Sequence, residues 1–347
     1  MRLYDYSFIR DLKISAGIVS LTNKIEAFRT EEKQRKKVNS EVFSALESVA
    51  RIQSVKGSNA IEGIVTTDAR IEEIVNGNSV PLNHNEMEIA GYRNVLDLIH
   101  REYMTLRLNG DLVLDMHRSM MSYTPRGGGS YKEQDNAIVS TDGYGIRSIR
   151  FIPVPSEETP KAMEQLILAY MDAKDDAGID PLILIPCFIL DFLCIHPFPD
   201  GNGRISRLLT LLLMYKCDID VGKYISFEEQ INRSKDGYYE ALRRSSDGWH
   251  SNKNDYVPFV ENFIFTLFSC YKELDRRFDV VGDKKVNKGN RVEAAVLNSI
   301  APISKKEISE LLPDVSITAI EAKLSELQKQ GKIERVGSRK YSRYVKK

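Results

Sequence analysis

The chain is poor in cysteine and carries no excess charge of either sign. Its four cysteines, Cys187, Cys194, Cys217 and Cys270, fall at no metal-ligand spacing, which argues against a thiolate metal centre. Three of them lie in apolar segments, so they read as buried free thiols. Lys plus Arg and Asp plus Glu both number 49, a formal net charge of zero, so no field of one sign covers the whole molecule. No apolar run reaches the length of a membrane span. The longest candidate, Pro181 to Ile195, is interrupted by Asp191, and no membrane partner is expected. The opening residues MRLYDYSFIRDLKIS have neither the apolar run nor the small-residue cleavage site of a secretory signal. With the free thiols, this gives the expectation of a reducing, cytoplasmic setting.

What the chain does have is length, helical periodicity and one dense motif. Its 347 residues are 42% hydrophobic and 28% charged, ordinary values for a globular protein with room for more than one domain. The charge is unevenly spread. From Lys284 to Lys347 there are 15 Lys/Arg against 7 Asp/Glu, and the first 283 residues carry 34 against 42. This points to two parts with different partners. Apolar residues recur at helical spacing over Glu41–Ile61, Asn85–Leu106, Leu112–Met121, Thr159–Asp172, Ile205–Lys216 and Tyr256–Phe278. Pro181–Cys194 is apolar nearly all round and reads as a central buried helix. Pro125–Pro155 differs. Gly127-Gly128-Gly129 precedes short alternating segments around Thr141-Asp142-Gly143, which read as a β-hairpin covering a pocket or as a plain surface loop.

The organisation expected is a helical N-terminal segment over 1–49, a main domain over 50–278, a polar linker over 279–290 and a small domain over 291–347. In the last, helices are expected at Arg291–Ala301, Ser304–Leu312 and Ser316–Gln330. Ser304 and Glu307 form a capping-box pattern. A strand pair turned at Gly337-Ser338 follows, giving a winged-helix order.

The chemistry is concentrated in His196-Pro-Phe-Pro-Asp200-Gly201-Asn202-Gly203-Arg204-Ile-Ser-Arg207. Glycines at 201 and 203 let backbone N–H groups converge at the start of the following helix, a nest for phosphate. Arg204 and Arg207, three apart, can face one anion. Asp200 is a hard oxygen ligand suited to a magnesium ion that bridges phosphates. His196, at the end of the buried helix that Pro197 stops, can take a proton from an incoming hydroxyl. The bland reading of any one of these residues is a helix-linking turn; the whole constellation favours nucleotidyl transfer.

This segment resembles the signature HPFx[DE]GNGRxxR of the Fic family of AMP-transferring proteins and matches it at every fixed position. The resemblance covers about residues 50 to 275. It implies a mainly α fold, a Fic-type helical bundle with a β-hairpin flap, followed here by the small winged-helix domain. It also implies a protein adenylyltransferase that moves AMP from ATP, with Mg2+, to a Ser, Thr or Tyr hydroxyl of a target protein. By the match His196 is the general base, Asp200 the metal ligand, and Gly201, Asn202, Gly203 and Arg204 the phosphate cradle; Arg207 holds the terminal phosphate. Tyr131-Lys132 and Asn136-Ala137-Ile138-Val139 resemble the flap over the nucleotide, with Lys132 where the pattern has Arg and Asn136 where it has an apolar residue. Tyr238 matches a Tyr lining the adenine pocket, and Ser246 stands where an Asn often contacts the nucleotide. Ser58-Asn-Ala-Ile-Glu62-Gly63 matches the family's inhibitory motif. Ser58 and Glu62, four apart, share a helix face, so Glu62 is expected to reach Arg207 in place of the terminal phosphate.

Two other readings stay open: a DNA-binding regulator with a Fic-like sensor, contacting DNA through residues 291–347, and a de-AMPylating enzyme on the same scaffold. A homodimer is a further partner left open.

Overall fold

The fold was analysed on a computed structural model, which describes residues 2–141, 147–281, 288–297, 299, 302–336 and 342–347. The helices of the main body are α1 (Ala16–Val38), α2 (Ser40–Ile61), α3 (Asp68–Val75), α4 (His84–Glu102), α5 (Gly110–Met121), α6 (Thr159–Ala173), α7 (Pro181–Ile195), α8 (Asn202–Lys216), α9 (Phe227–Arg233), α10 (Lys235–Ser246) and α11 (Val257–Val281). Between α5 and α6 lie β1 (Ile138–Thr141) and β2 (Arg147–Phe151), an antiparallel pair with Val139 opposite Ile149 and an irregularity between Ile138 and Val139. The C-terminal module contains α12 (Lys288–Leu297), β3 (Ile303–Ser304), α13 (Lys305–Leu311), α14 (Ile317–Lys329), β4 (Ile333–Val336) and β5 (Arg343–Lys346).

Local chemistry sets many of these boundaries. The side chains of Thr67, Asn83, Asn109, Asp180 and Ser226 each accept from a backbone N–H in the first turn of the following helix, a cap worth about 1 kcal/mol. Ser304 and Glu307 form both bonds of the capping box at α13.

Helix α7 occupies the centre: from Leu184 to Ile195 every residue is buried. The one charge in it, Asp191, accepts from Trp249 Nε1 at 2.6 Å, Tyr6 Oη at 2.9 Å, Tyr256 Oη at 2.9 Å and Arg2 at 3.2 Å. A buried carboxylate is tolerable only with such pairing and hydrogen bonding. These bonds tie the N-terminal residues and the α10–α11 corner to the helix that ends at His196.

Three expectations need correction. A boundary at residue 49/50 falls inside α2, and Tyr6, Ile18 and Ile25 share one apolar core with α7 and α8, so residues 1–49 are not a separate layer. The linker is shorter than 279–290, because α11 continues to Val281 and α12 begins at Lys288. The C-terminal module also has the strand β3, which pairs with β5 in a sheet ordered β3-β5-β4 around its own apolar core of Val292, Val296, Ile308, Leu324 and Tyr344. The expected turns at Asp142-Gly143 and Gly337-Ser338, and the end of the helix placed at Arg291–Ala301, lie outside the described residues.

Helices α4 and α5 approach closely at Gly91, where an added Cβ would stand 1.7 Å from the carbonyl oxygen of Met120. The preceding turn of α5 carries His117, which reaches the Asp200 carbonyl at 3.2 Å, so the two backbones have no room to separate cheaply. Gly91→Ala is expected to cost about 1–3 kcal/mol, read as a lower midpoint in urea unfolding; a midpoint equal to the parent's would show that the contact can relax.

Candidate functional site

The site forms where α7 ends and α8 begins. His196 caps α7 in the left-handed conformation, φ 51° and ψ 61°, which is uncommon for a residue with a side chain. Its Nδ1 lies 3.3 Å from the carbonyl of Leu193; a carbonyl only accepts, so that contact places the proton on Nδ1 and leaves a lone pair on Nε2. Burial lowers the His196 pKa from 6.5 to about 4, so the neutral form dominates near pH 7.

The loop that follows is tightly pinned. Gly201 has φ +79° and is the N-cap of α8. Its N–H donates to Asp200 Oδ1 at 2.6 Å, and the Asp200 side chain is 52% exposed, a carboxylate open to solvent beside the glycines. Asn202 points its side chain into the loop. It accepts from the Phe198 N–H at 2.9 Å and donates to the Phe198 carbonyl at 2.7 Å. It is 2% exposed, so its side chain clamps the loop and does not face a ligand.

The two arginines also part company, contrary to the expectation that both face one anion. Arg204 is buried and ion-paired with Glu88 of α4, with Asp200 3.6 Å away, and its Nε has no hydrogen-bond partner. Arg207 is 2% exposed and turns to α2. Its Nε donates to Ser58 Oγ at 2.8 Å, and its terminal nitrogen donates to the Ser58 carbonyl at 3.0 Å and to Glu62 Oε1 at 2.8 Å. The Glu62 carboxylate also lies against the glycine loop: a Cβ on Gly203 would stand 2.3 Å from Glu62 Oε1. Glu62 is the C-cap of α2, followed by Gly63 at φ +79°.

The flap is fastened to the same turn. The Lys132 N–H donates to the Pro197 carbonyl at 2.9 Å. Its ammonium donates to the Ile195 carbonyl at 3.1 Å and to Asn136 Oδ1 at 2.9 Å. Asn136 in turn donates to the Phe198 carbonyl at 3.2 Å and the His196 carbonyl at 3.5 Å. The two departures from the family pattern therefore touch each other. Burial lowers the Lys132 pKa to about 8. Beyond Asn136 the flap opens: Ala137 and Val139 are exposed, and Ile138 is half-buried.

Tyr238 is buried on α10, tilted against Phe259. The cavity it shares with Arg207, Ser206 and Ile189 holds about 20 Å3, room for one water and far short of an adenine. Ser246 donates to the Arg243 carbonyl of its own helix. It lines an open cleft of about 710 Å3 with Arg150, Arg243 and Trp249, a different space from the Tyr238 cavity.

The sequence model of the Fic/DOC family matches residues 107–214, the stretch that runs from α5 through the flap and the loop to α8. That stretch is a Fic/DOC-family domain. The chain is 27% identical over 224 residues to the protein adenylyltransferase Fic of Nematostella vectensis, covering 61% of this chain and 45% of that one. It is 30% identical over 148 residues to the protein adenylyltransferase fic-1 of Caenorhabditis elegans, covering 41% and 26%. The chain thus spans less than half the length of these curated relatives. Among solved structures, a Fic family protein from Desulfovibrio desulfuricans G20 shares the fold at 21% identity and a TM-score of 0.62, over 97% of both chains.

Two site residues gave no signal in the sequence. Glu88 looks like one more polar position on an amphipathic helix. His117 looks like a core histidine, yet it reaches the Asp200 carbonyl at 3.2 Å. Among the described residues no three His, Cys, Asp or Glu are grouped to hold a metal ion, and no helix is long and apolar enough to cross a membrane.

Burial lowers the pKa values of His100, His117 and His196, each to about 4. The unfolded chain then binds more protons than the folded one between pH 6.5 and about 4, so stability falls as pH drops through that window. In proton NMR all three rings are expected to keep their neutral shifts down to pH 5; a midpoint near 6.5 for His196 would overturn the buried, neutral assignment.

Proposed function

We propose that the protein transfers AMP from ATP to a hydroxyl group of a target protein, and that Glu62 holds it in an inhibited state. The observation that carries the reading is the Glu62 carboxylate seated against Gly203 and hydrogen-bonded to Arg207. An anion therefore already occupies a spot where a phosphate would be held, in front of a histidine with a free Nε2. A carboxylate and a phosphate compete for a guanidinium because both accept its paired hydrogen bonds. The names of the curated relatives support the same reaction class.

In this reading the ATP phosphates lie over the backbone N–H groups of Gly201 to Gly203 and the start of α8, where the helix dipole favours negative charge. Arg204, with its unpartnered Nε, supplies positive charge beneath them, and Arg207 takes the terminal phosphate once Glu62 leaves. The target hydroxyl oxygen bonds to the α-phosphorus, the bond to the β-phosphate oxygen breaks, pyrophosphate departs, and His196 Nε2 takes the hydroxyl proton. Incoming phosphates raise the histidine's affinity for that proton from its low value in the free protein. The half-exposed Asp200 carboxylate fits magnesium, which takes one or two carboxylates and otherwise phosphate and water oxygens, and would neutralise phosphate charge there. Ala137, Ile138 and Val139 of the flap are assigned to clamping the target and covering the nucleotide, with Ala137 and Val139 exposed for the target. Tyr238 is assigned to the nucleoside end, which requires it to move, given the small cavity beside it; Ser246, in a separate cleft and bonded to its own helix, is not assigned to the nucleotide.

We read the C-terminal module as a protein-contact element in preference to a DNA reader. Lys323, on the helix a reader would lay in the groove, is ion-paired with Glu293 and Glu326, and Arg343 on the wing is paired with Glu307.

Two substitutions test the proposal. His196→Ala should still bind ATP by calorimetry while AMP transfer from labelled ATP falls by on the order of 10² to 10⁴; full transfer would remove His196 from the reaction. Glu62→Gly should raise auto-modification, counted by mass spectrometry beside the parent under equal ATP and magnesium. If the mutant is no faster, the carboxylate is structural and does not block the site.

A further inference from the structure

The glycine run at 127–129 and the buried His117 have no part in the chemistry above, yet they meet beneath the phosphate loop. The His117 ring lies face to face with Phe198, centroids 3.8 Å apart and planes at 13°. On one side its Nδ1 receives the Gly129 N–H at 3.0 Å. A backbone amide only donates, so Nδ1 is the accepting nitrogen and Nε2 carries the proton. That Nε2–H then donates to the Asp200 carbonyl at 3.2 Å. The glycines allow the approach: a Cβ on Gly128 would stand 2.9 Å from the His117 carbonyl and 3.0 Å from its Nδ1, and Gly129 has φ +95°. At Gly201 the constraint is the backbone itself, φ +79°, since a Cβ there would meet the flexible end of Met120.

In a trans peptide the C=O and N–H point in opposite directions. With the Asp200 carbonyl bonded to His117, the Gly201 N–H must point away from the ring, and it does, toward the Asp200 carboxylate at 2.6 Å. Glycine at 201 makes the reverse orientation accessible too. A flipped peptide would offer a carbonyl oxygen to an anion and remove one donor from the cradle. We propose that His117 is a positioning residue that holds the Asp200–Gly201 peptide with its N–H turned to the phosphate site, and that Gly129 fixes the ring in the tautomer able to do so. This rests on the nucleotide reading of the loop.

The test separates the two nitrogens. In the Glu62→Gly protein, His117→Gln keeps a donor near the Nε2 position, His117→Asn keeps an acceptor near the Nδ1 position, and His117→Phe keeps only the stack on Phe198. ATP affinity without magnesium is measured by calorimetry, and kcat and KM for ATP are measured in AMP transfer. Asn and Phe should weaken ATP binding and raise KM by about 10–100-fold, the usual range for residues that orient a ligand-holding group, and Gln should restore most of the loss. Equal behaviour of Gln and Asn, or parental binding in all three, overturns the positioning role. If Phe does not fold, the Gln–Asn comparison still decides. If the Glu62→Gly parent itself neither binds ATP nor transfers AMP, the functional reading falls, and the inference with it, before any His117 variant is compared.

Discussion

A guanidinium taken out of water needs an anion beside it, and Arg207 organises the site around that need. It is nearly sealed from solvent, and an unpaired charge there would cost several kcal/mol. Ser58 supplies two neutral acceptors and Glu62 the charge. The consequence runs outward. Helix α2 must lie close enough for its last turn to reach α8, and Gly57 permits this: a Cβ there would stand 2.9 Å from the backbone of α9. A charge already satisfied within the chain also means that any competing anion is scored against Glu62 and not against water.

The loop's candidate residues were legible because they are local. Twelve consecutive residues carry the histidine, both glycines, the carboxylate and both arginines, and turn-to-helix geometry follows from glycine and proline alone. The Ser58–Glu62 spacing was legible for the same reason, since i and i+4 share a helix face. What local spacing could not give was direction. Arg204 and Arg207 lie three apart on one helix, yet one turns to Glu88 and the other to Glu62, partners supplied by helices more than a hundred residues earlier. Asn202 stands between the two glycines in sequence, and nothing local says that its side chain is held inward by Phe198. His117 carries no local mark at all, because its meaning comes from a carbonyl 83 residues away.

The fold shows the same division. Helices α2, α4, α5, α6 and α7 were read nearly to their ends from their apolar spacing, whereas α1, α3 and α9 were not read although a side chain caps each of them. The packing of residues 1–49 into the main core was not legible, because nothing local says that Tyr6 and Arg2 reach the one carboxylate in a central apolar helix. Strand β3 is two residues long and exists only because β5 lies alongside it.

The Lys132–Asn136 contact makes the base of the flap one unit with the turn that carries His196. Lys132 donates to the Ile195 and Pro197 carbonyls, and Asn136 to those of His196 and Phe198. With an apolar residue at 136, Lys132 loses a partner, and the Phe198 carbonyl loses the donor that Asn136 supplies. Four consecutive carbonyls are thus held by two flap residues, so the flap base and the His196 turn shift together or not at all.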